Sequence, residues 1–253
     1  MRLVRFVGAR SWLLALLLVC WQILAARRIL DPLFFPPPSK VGAALWAMLL
    51  SGELGREVGI TLARAGTGLL AGVVGGALVS ILLCLSARLR TAAQPLVSAL
   101  YSTPRLTMLP MVMLIFGVNE TSRLALVALS TGLVMVIQIS DAVRGVNRHY
   151  VDLAANYGAS RAVIVRKVYF PACLPQIFTA LRLCTGRALV MTISIEMLSS
   201  DDGIGSMIWM SWQTFATEKL YASVVVAALL GLLSGPVFHR LERRLVPWTG
   251  GPV

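Results

Sequence analysis

The chain has 253 residues, of which 57% are hydrophobic and only 13% charged, with a mean hydropathy of +0.80. A soluble domain carries roughly 25% charged residues, so this chain would saturate any single core and leave a greasy surface; its solvent is lipid. The net charge of +12 does not point to nucleic acid, because the basic residues sit in short clusters between apolar runs, as cytoplasmic loops of membrane proteins require.

A membrane-crossing helix needs about 20 mostly apolar residues, and about six candidates follow in chain order. Residues 11–26 come after Arg2, Arg5 and Arg10 in the manner of a signal peptide. No good small-residue cleavage site follows, so an uncleaved first span is expected. Residues 27–60 contain Phe34-Phe35-Pro36-Pro37-Pro38, then Ser39 as an expected N-cap, then an amphipathic stretch over 41–50. Proline cannot continue a helix, so this segment is expected to form an external connector followed by an interfacial helix. Residues 65–87 form a second span, uncharged between Arg64 and Arg88. Within it Gly68, Gly72 and Gly76 stack on one helical face, with Gly75 beside them, which opens that face to another helix or, alternatively, to substrate.

The third candidate, 94–118, is interrupted by Arg105 just after Pro104; the fourth is 122–140. A basic segment over 143–175 is too long for a simple connection, and such loops are usually functional. The fifth span, 177–198, is the weakest because it holds Arg182 and Arg187, and 220–238 completes the set. The fold class is therefore all-α and polytopic, divided into an N-terminal part (1–60) and a core (61–253). With the N-terminus inside, Arg88, Arg90, Arg144, Arg148, Arg161, Arg166, Lys167, Arg240, Arg243 and Arg244 are cytoplasmic, as is the C-terminus. The same choice puts Asp31, Glu53, Glu57, Glu120, Asp201, Asp202 and Glu218 outside, so the basic residues follow the positive-inside rule.

The long cytoplasmic segment has its own pattern. Residues 152–157 read as a short helix, Gly158 supplies the freedom to turn it, and 160–169 reads as a second helix with Ser160 as a possible cap. Pro171 and Pro175 are expected to break the chain before the fifth span. A helix, a glycine corner and another helix held outside the bilayer form a docking element.

This segment resembles the signature of ATP-binding-cassette importer permeases: Glu-Ala-Ala, three residues, Gly, nine residues, Ile-x-Leu-Pro. Here it is Asp152-Leu153-Ala154, then Gly158, then Val168-Tyr169-Phe170-Pro171, with Leu153 as the one bulky departure. Leu33-Phe34-Phe35-Pro36-Pro37-Pro38, Leu109-Pro110 with Phe116-Gly117, Gly158-Ala159-Ser160-Arg161, Leu181-Arg182 and Glu196-Met197 look like the nitrate, sulfonate and taurine branch, and the tail from Leu241 to Trp248 is similar to taurine-type members.

The resemblance implies a type I importer permease in a bacterial inner membrane. It would work with a second permease copy, most simply as a homodimer, with two cytoplasmic ATP-binding subunits, and with a periplasmic or lipid-anchored solute-binding protein. Asp152, Leu153, Ala154, Ala155, Gly158, Ala159, Ser160 and Pro171 would then form the ATPase-coupling loop. The chain has no Gly-x4-Gly-Lys-Ser/Thr phosphate loop, so it is expected to be no enzyme itself, to need no cofactor, and to borrow ATP hydrolysis from a partner.

Ionisable groups inside a membrane cost at least ~2.5–3.5 kcal/mol at its centre, so each needs a reason. Arg105 either meets an anion in the translocation path or is a carbonyl-paired scaffold residue in a kinked helix. Arg182 reads as structural. Arg187, deeper in the fifth span, lines the path or pairs with Asp141. Glu196, near the outer end, suits a gate or a contact with the binding protein. Cys20, Cys84, Cys173 and Cys184 have no metal-ligand spacing, and His149 and His239 are juxtamembrane. The rival reading is a secondary transporter or channel working without an ATPase, but neither span repeats nor deep acidic residues support it. Two arginines and no deep carboxylate suit taurine, an alkanesulfonate or nitrate.

Overall fold

Lipid offers the backbone no hydrogen-bond partners, and a helix satisfies its own peptide groups segment by segment. The computed structural model follows this rule; it describes the backbone of residues 2–245 and the side chains of residues 12–235. The expectations for Arg2, Arg5, Arg10, His239, Arg240, Arg243, Arg244 and the tail to Trp248 lie outside the described side chains. Every regular element among the described residues is helical: α1 (Arg2–Ala26), α2 (Pro38–Leu50), α3 (Glu53–Leu85), α4 (Ala87–Ser102), a 3₁₀ turn (Arg105–Met108), α5 (Leu109–Phe116), α6 (Glu120–Gly145), α7 (Arg148–Asn156), α8 (Arg161–Ile164), a π turn (Val165–Tyr169), α9 (Phe170–Ser199), α10 (Ile204–Gln213) and α11 (Thr217–Leu245).

Among the described residues, four helices are long and apolar enough to cross a membrane: Glu53–Leu85, Glu120–Gly145, Arg161–Ser199 and Thr217–Gly235. A bent pair, Ala87–Ser102 with Arg105–Phe116, is a fifth if the two pieces form one broken span and not a re-entrant loop, and Trp12–Ala26 is a shorter apolar helix. The expected third span is thus not one straight helix over 94–118. It starts earlier and turns through 98°, because Pro104 cannot donate to the helix ladder and holds its predecessor extended.

The chain resolves into two compact units, one of residues 1–60 with 196–228 and one of 61–195 with 229–253. The division at residue 60 expected from the sequence therefore has a second component, because 196–228 groups with the N-terminal part. In the first unit, α2 begins at Pro38, one residue before the expected cap. Ser39 is not the N-cap; its backbone N–H donates to Gln22 Oε1 (3.0 Å), while Gln22 Nε2 donates to its hydroxyl (3.2 Å). A side chain from α1 thus does the capping. The rings of Trp21 and Tyr221 meet at a tilt of 46°, 5.5 Å between centroids, and the Tyr221 hydroxyl donates to the Phe34 carbonyl (3.1 Å), tying the proline-rich connector to α11.

The second unit is built around α6. Leu126, Val127, Ala188 and Ile195 form one buried cluster with Leu109 and Met191, and Val134, Met135, Ala180 and Cys184 form another. Helix α3 lies against α6 along the stripe of small residues. A Cβ on Gly68 would sit 2.6 Å from Val127 Cγ1, one on Gly72 1.9 Å from Thr131 Oγ1, and one on Gly76 2.5 Å from the Gly132 carbonyl oxygen. Gly75, off this face, has nothing within 4 Å. The glycine spacing serves close helix packing, not substrate. One end of the seam is closed by a fork: buried Arg64 donates through Nε (2.9 Å) and Nη2 (2.6 Å) to the two oxygens of Glu120, the strong planar geometry of an Arg–carboxylate pair.

Helix α9 runs through Pro175 and starts next to Pro171, so the two prolines do not break the chain. Pro171 has no N–H for the carbonyl four residues back, and the ladder absorbs the defect in the widened turn at Val165–Tyr169, closed by Phe170 N–H to Val165 O. With this turn, residues Arg161–Ser199 form one continuous helical run of 39 residues. All four cysteines are free thiols; Cys173 and Cys184 are buried.

Candidate functional site

The motif within residues 143–175 folds as a helix and an exposed corner. Asn147 caps α7 by accepting from His149 N–H (2.9 Å). At its other end Gly158 adopts φ +77°, a conformation that L side chains resist. Two bonds close the end: Gly158 N–H to Ala155 O (2.9 Å) and Ala159 N–H to Ala154 O (3.0 Å). This is the Schellman arrangement, in which a left-handed residue lets the last carbonyls find donors. Ser160 then precedes α8, but its side chain makes no capping bond; only its carbonyl takes Ile164 N–H (3.0 Å).

Nothing lies within 4 Å of a Cβ placed on Gly158, so the glycine is needed for direction and not for space. Leu153, at 55% exposure, and Tyr157, at 84%, stand out from the surface. They border a cavity of about 480 Å³ whose wall also includes Ala154, Val168 and Pro171. Apolar side chains exposed in this way are available for contact with another molecule. Asp152 and Ala155 are also solvent-facing on α7.

The two arginines singled out in the sequence are brought together, and by a residue that sequence reasoning missed. Arg105 sits at the elbow after Pro104 and donates through Nη2 to the Tyr101 carbonyl (3.3 Å). Arg187 on α9 donates to the Tyr101 hydroxyl (3.2 Å). Both guanidinium groups lie near the same ring, their central carbons 4.9 Å and 5.6 Å from its centroid, a contact worth ~0.5–1 kcal/mol where exposed. The expected pairing of Arg187 with Asp141 is not formed; Asp141 faces Arg144 one helical turn away (3.9 Å). Tyr101 lies four residues before Arg105, which was the one local signal available.

Glu196 is wholly buried. Its carboxylate accepts Gly205 N–H (3.0 Å) at the start of α10, while Glu57 accepts Gly203 N–H (2.5 Å). Two acids thus cap one helix N-terminus, where negative charge is favoured. Gly203, at φ +96°, has no room for a side chain, since a Cβ would lie 2.3 Å from the Glu196 carboxyl carbon. A side chain so enclosed holds the 200–203 loop and presents no surface to a binding protein. No cluster of metal-ligating residues occurs among those described.

Residues 68–250 match the family of binding-protein-dependent transport system inner membrane components. The chain is 30% identical to the taurine transport system permease protein TauC of Escherichia coli (strain K12), over 94% of its own length and 88% of that protein's. It is 28% identical to the formylaminopyrimidine transport permease protein ThiX of Halalkalibacterium halodurans, covering 92% of each. Its fold matches a chain of the inward-facing MetNI methionine ABC transporter with a TM-score of 0.66, at 19% identity, over 74% of this chain and 94% of that one. An all-helical, lipid-facing chain with a helix–glycine–helix element and a family match across most of its length leads to one conclusion: the protein belongs to the binding-protein-dependent transport system inner membrane component family and is a multi-pass permease subunit of an ABC importer.

Proposed function

We propose that the chain forms half of the translocation path of an ATP-driven importer for a small anionic or zwitterionic solute: taurine, an alkanesulfonate or nitrate. The exposed corner at Gly158, with Leu153 and Tyr157 projecting beside it, carries the coupling part of this reading. Asp152, Leu153, Ala154, Ala155, Gly158, Ala159, Ser160 and Pro171 form or support a knob that seats in a cytoplasmic ATP-binding subunit. Two such subunits serve two permease copies, and a binding protein outside the membrane delivers the solute. ATP-driven closure of the ATPases pulls on the knobs and turns the path from inward- to outward-facing. Both chain termini lie in the cytoplasm.

Substrate identity does not follow from family membership, since TauC is named for taurine and ThiX for formylaminopyrimidine. The paired Arg105 and Arg187 support an anion. The deciding experiment is uptake of labelled taurine into vesicles holding the complete importer, with cysteines placed at Arg148 and Glu53. ATP-dependent uptake is expected, with position 148 reacting with impermeant thiol reagents from the ATPase side only and position 53 from the opposite side. Labelling of position 148 from the binding-protein side would remove the coupling segment from the ATPases.

A further inference from the structure

We propose, building on the importer reading above, that Tyr101, Arg105 and Arg187 form one binding site for the acid headgroup of a short-chain oxyanion such as a sulfonate. The site does not read a substrate's amino group. Tyr101 is its positioning residue, because its carbonyl, ring and hydroxyl are the groups that hold the two guanidinium groups in place.

Two like charges gathered on one ring within apolar spans need compensation. No acidic side chain among the described residues forms an ion pair with either arginine; every ion pair found involves other residues. Arg105 Nε is buried and has no hydrogen-bond partner, and a buried donor without an acceptor is an exception that calls for a cause. Both arginines border a cavity of about 310 Å³, at the small end of ligand pockets, which run from ~300 to 1,000 Å³.

The rest of the cavity wall defines the ligand further. Ser130 adds a hydroxyl, and Leu106, Val190 and Met191 supply an apolar side. A ligand with several acceptor oxygens at one end and a short alkyl chain at the other satisfies both parts. Guanidinium forks match planar or tetrahedral oxyanions through paired donors. The wall offers no carboxylate to an ammonium group, so taurine and ethanesulfonate are equivalent here, and any preference for the amine arises in another component.

The test uses the purified full-length permease and the complete reconstituted importer in parallel. Thermal unfolding of the permease is followed with ethanesulfonate, taurine or neutral ethanesulfonamide at constant ionic strength. Both acids are expected to raise the midpoint equally, and the amide not at all. Arg105→Gln and Arg187→Gln should each weaken acid binding about tenfold or more, the scale of a hydrogen bond to a charged group, while the Lys variants recover part of it. Tyr101→Phe, which keeps the ring and loses only the hydroxyl's hydrogen bond with Arg187, should fall between wild type and Tyr101→Leu. In the importer, uptake per assembled complex should follow the same order for both acids.

An equal shift in the Gln variants, a shift with the neutral amide, a response to taurine alone, or no shift in the wild type would each overturn the site. Acid binding that behaves as expected in an importer that takes up neither acid would leave the site standing and overturn the sulfonate reading of the previous section.

Discussion

Gly72 and Gly158 belong to the same unit of the molecule, and each resists replacement for a reason the other lacks. Gly72 has ordinary helical geometry but no room, because a Cβ there would meet Thr131 Oγ1 at 1.9 Å and the Ala128 carbonyl oxygen at 2.5 Å. Gly158 has open space on every side but a backbone at φ +77°. The α3–α6 seam uses glycine to bring two backbones of one chain together. The corner at Gly158 uses glycine to turn the chain and leave Leu153 and Tyr157 exposed. Damage at the first is damage to the fold; under the proposed coupling role, damage at the second is damage to a relationship between subunits.

The largest effect is therefore expected from Gly72→Leu. Overpacking a well-filled interface typically costs ~1–3 kcal/mol, and here backbone atoms stand in the way. The yield of monodisperse permease should collapse. Gly158→Val comes next: a left-handed residue with a branched side chain costs ~1–2 kcal/mol, which the fold should survive. Permease yield should stay near wild type while ATP-driven uptake falls at least about tenfold, and Gly158→Asn should restore most of it, because Asn tolerates this backbone region. If Gly158→Val lowered yield as far as Gly72→Leu, the contrast between the two sites would be wrong.

Smaller still is Leu153→Ala. Its side chain is mostly exposed, so stability should change by no more than about 0.5 kcal/mol, while co-purification of the ATP-binding subunit should change severalfold. Gly75→Ala should be the mildest. It adjoins Gly76 in sequence but faces open space, and alanine in a helix interior should stabilise by up to ~1 kcal/mol. A measurable loss of folded protein for Gly75→Ala would show that the small-residue face is wider than the described contacts.

The features legible in the sequence are those set by local rules. Gly68, Gly72 and Gly76 recur at the helical period, so their common face could be read directly, and the turn at Gly158 follows from a motif whose geometry is closed within a few residues. The rest depends on partners distant in the chain. Tyr101 meets Arg187 across 86 positions, and no spacing rule connects them. Ser39 looks like a cap because serine usually is one, yet the cap comes from Gln22 on another helix. The prolines at 171 and 175 suggest a break, since propensity says nothing of a ladder that can shift by one residue to absorb the first of them, or of a helix that runs on through the second. Glu196 reads as a gate residue or a contact for the binding protein until its burial beside the start of α10 is seen, and the grouping of 196–228 with the N-terminal part is a property of tertiary contact alone.

The widened turn at Val165–Tyr169 also has a mechanical meaning. A helix with one residue too many in a single turn is a rod with a joint, and the joint lies between the corner at Gly158 and the long span of α9. Any displacement of the corner reaches the span only through this turn. It also preserves the phase. An α-helix advances roughly 100° per residue and the wide turn less, so the five residues Val165–Tyr169 cover about the rotation of one fewer α-helical residue, and the extra residue is taken up without swinging α8 and the corner around the axis of α9.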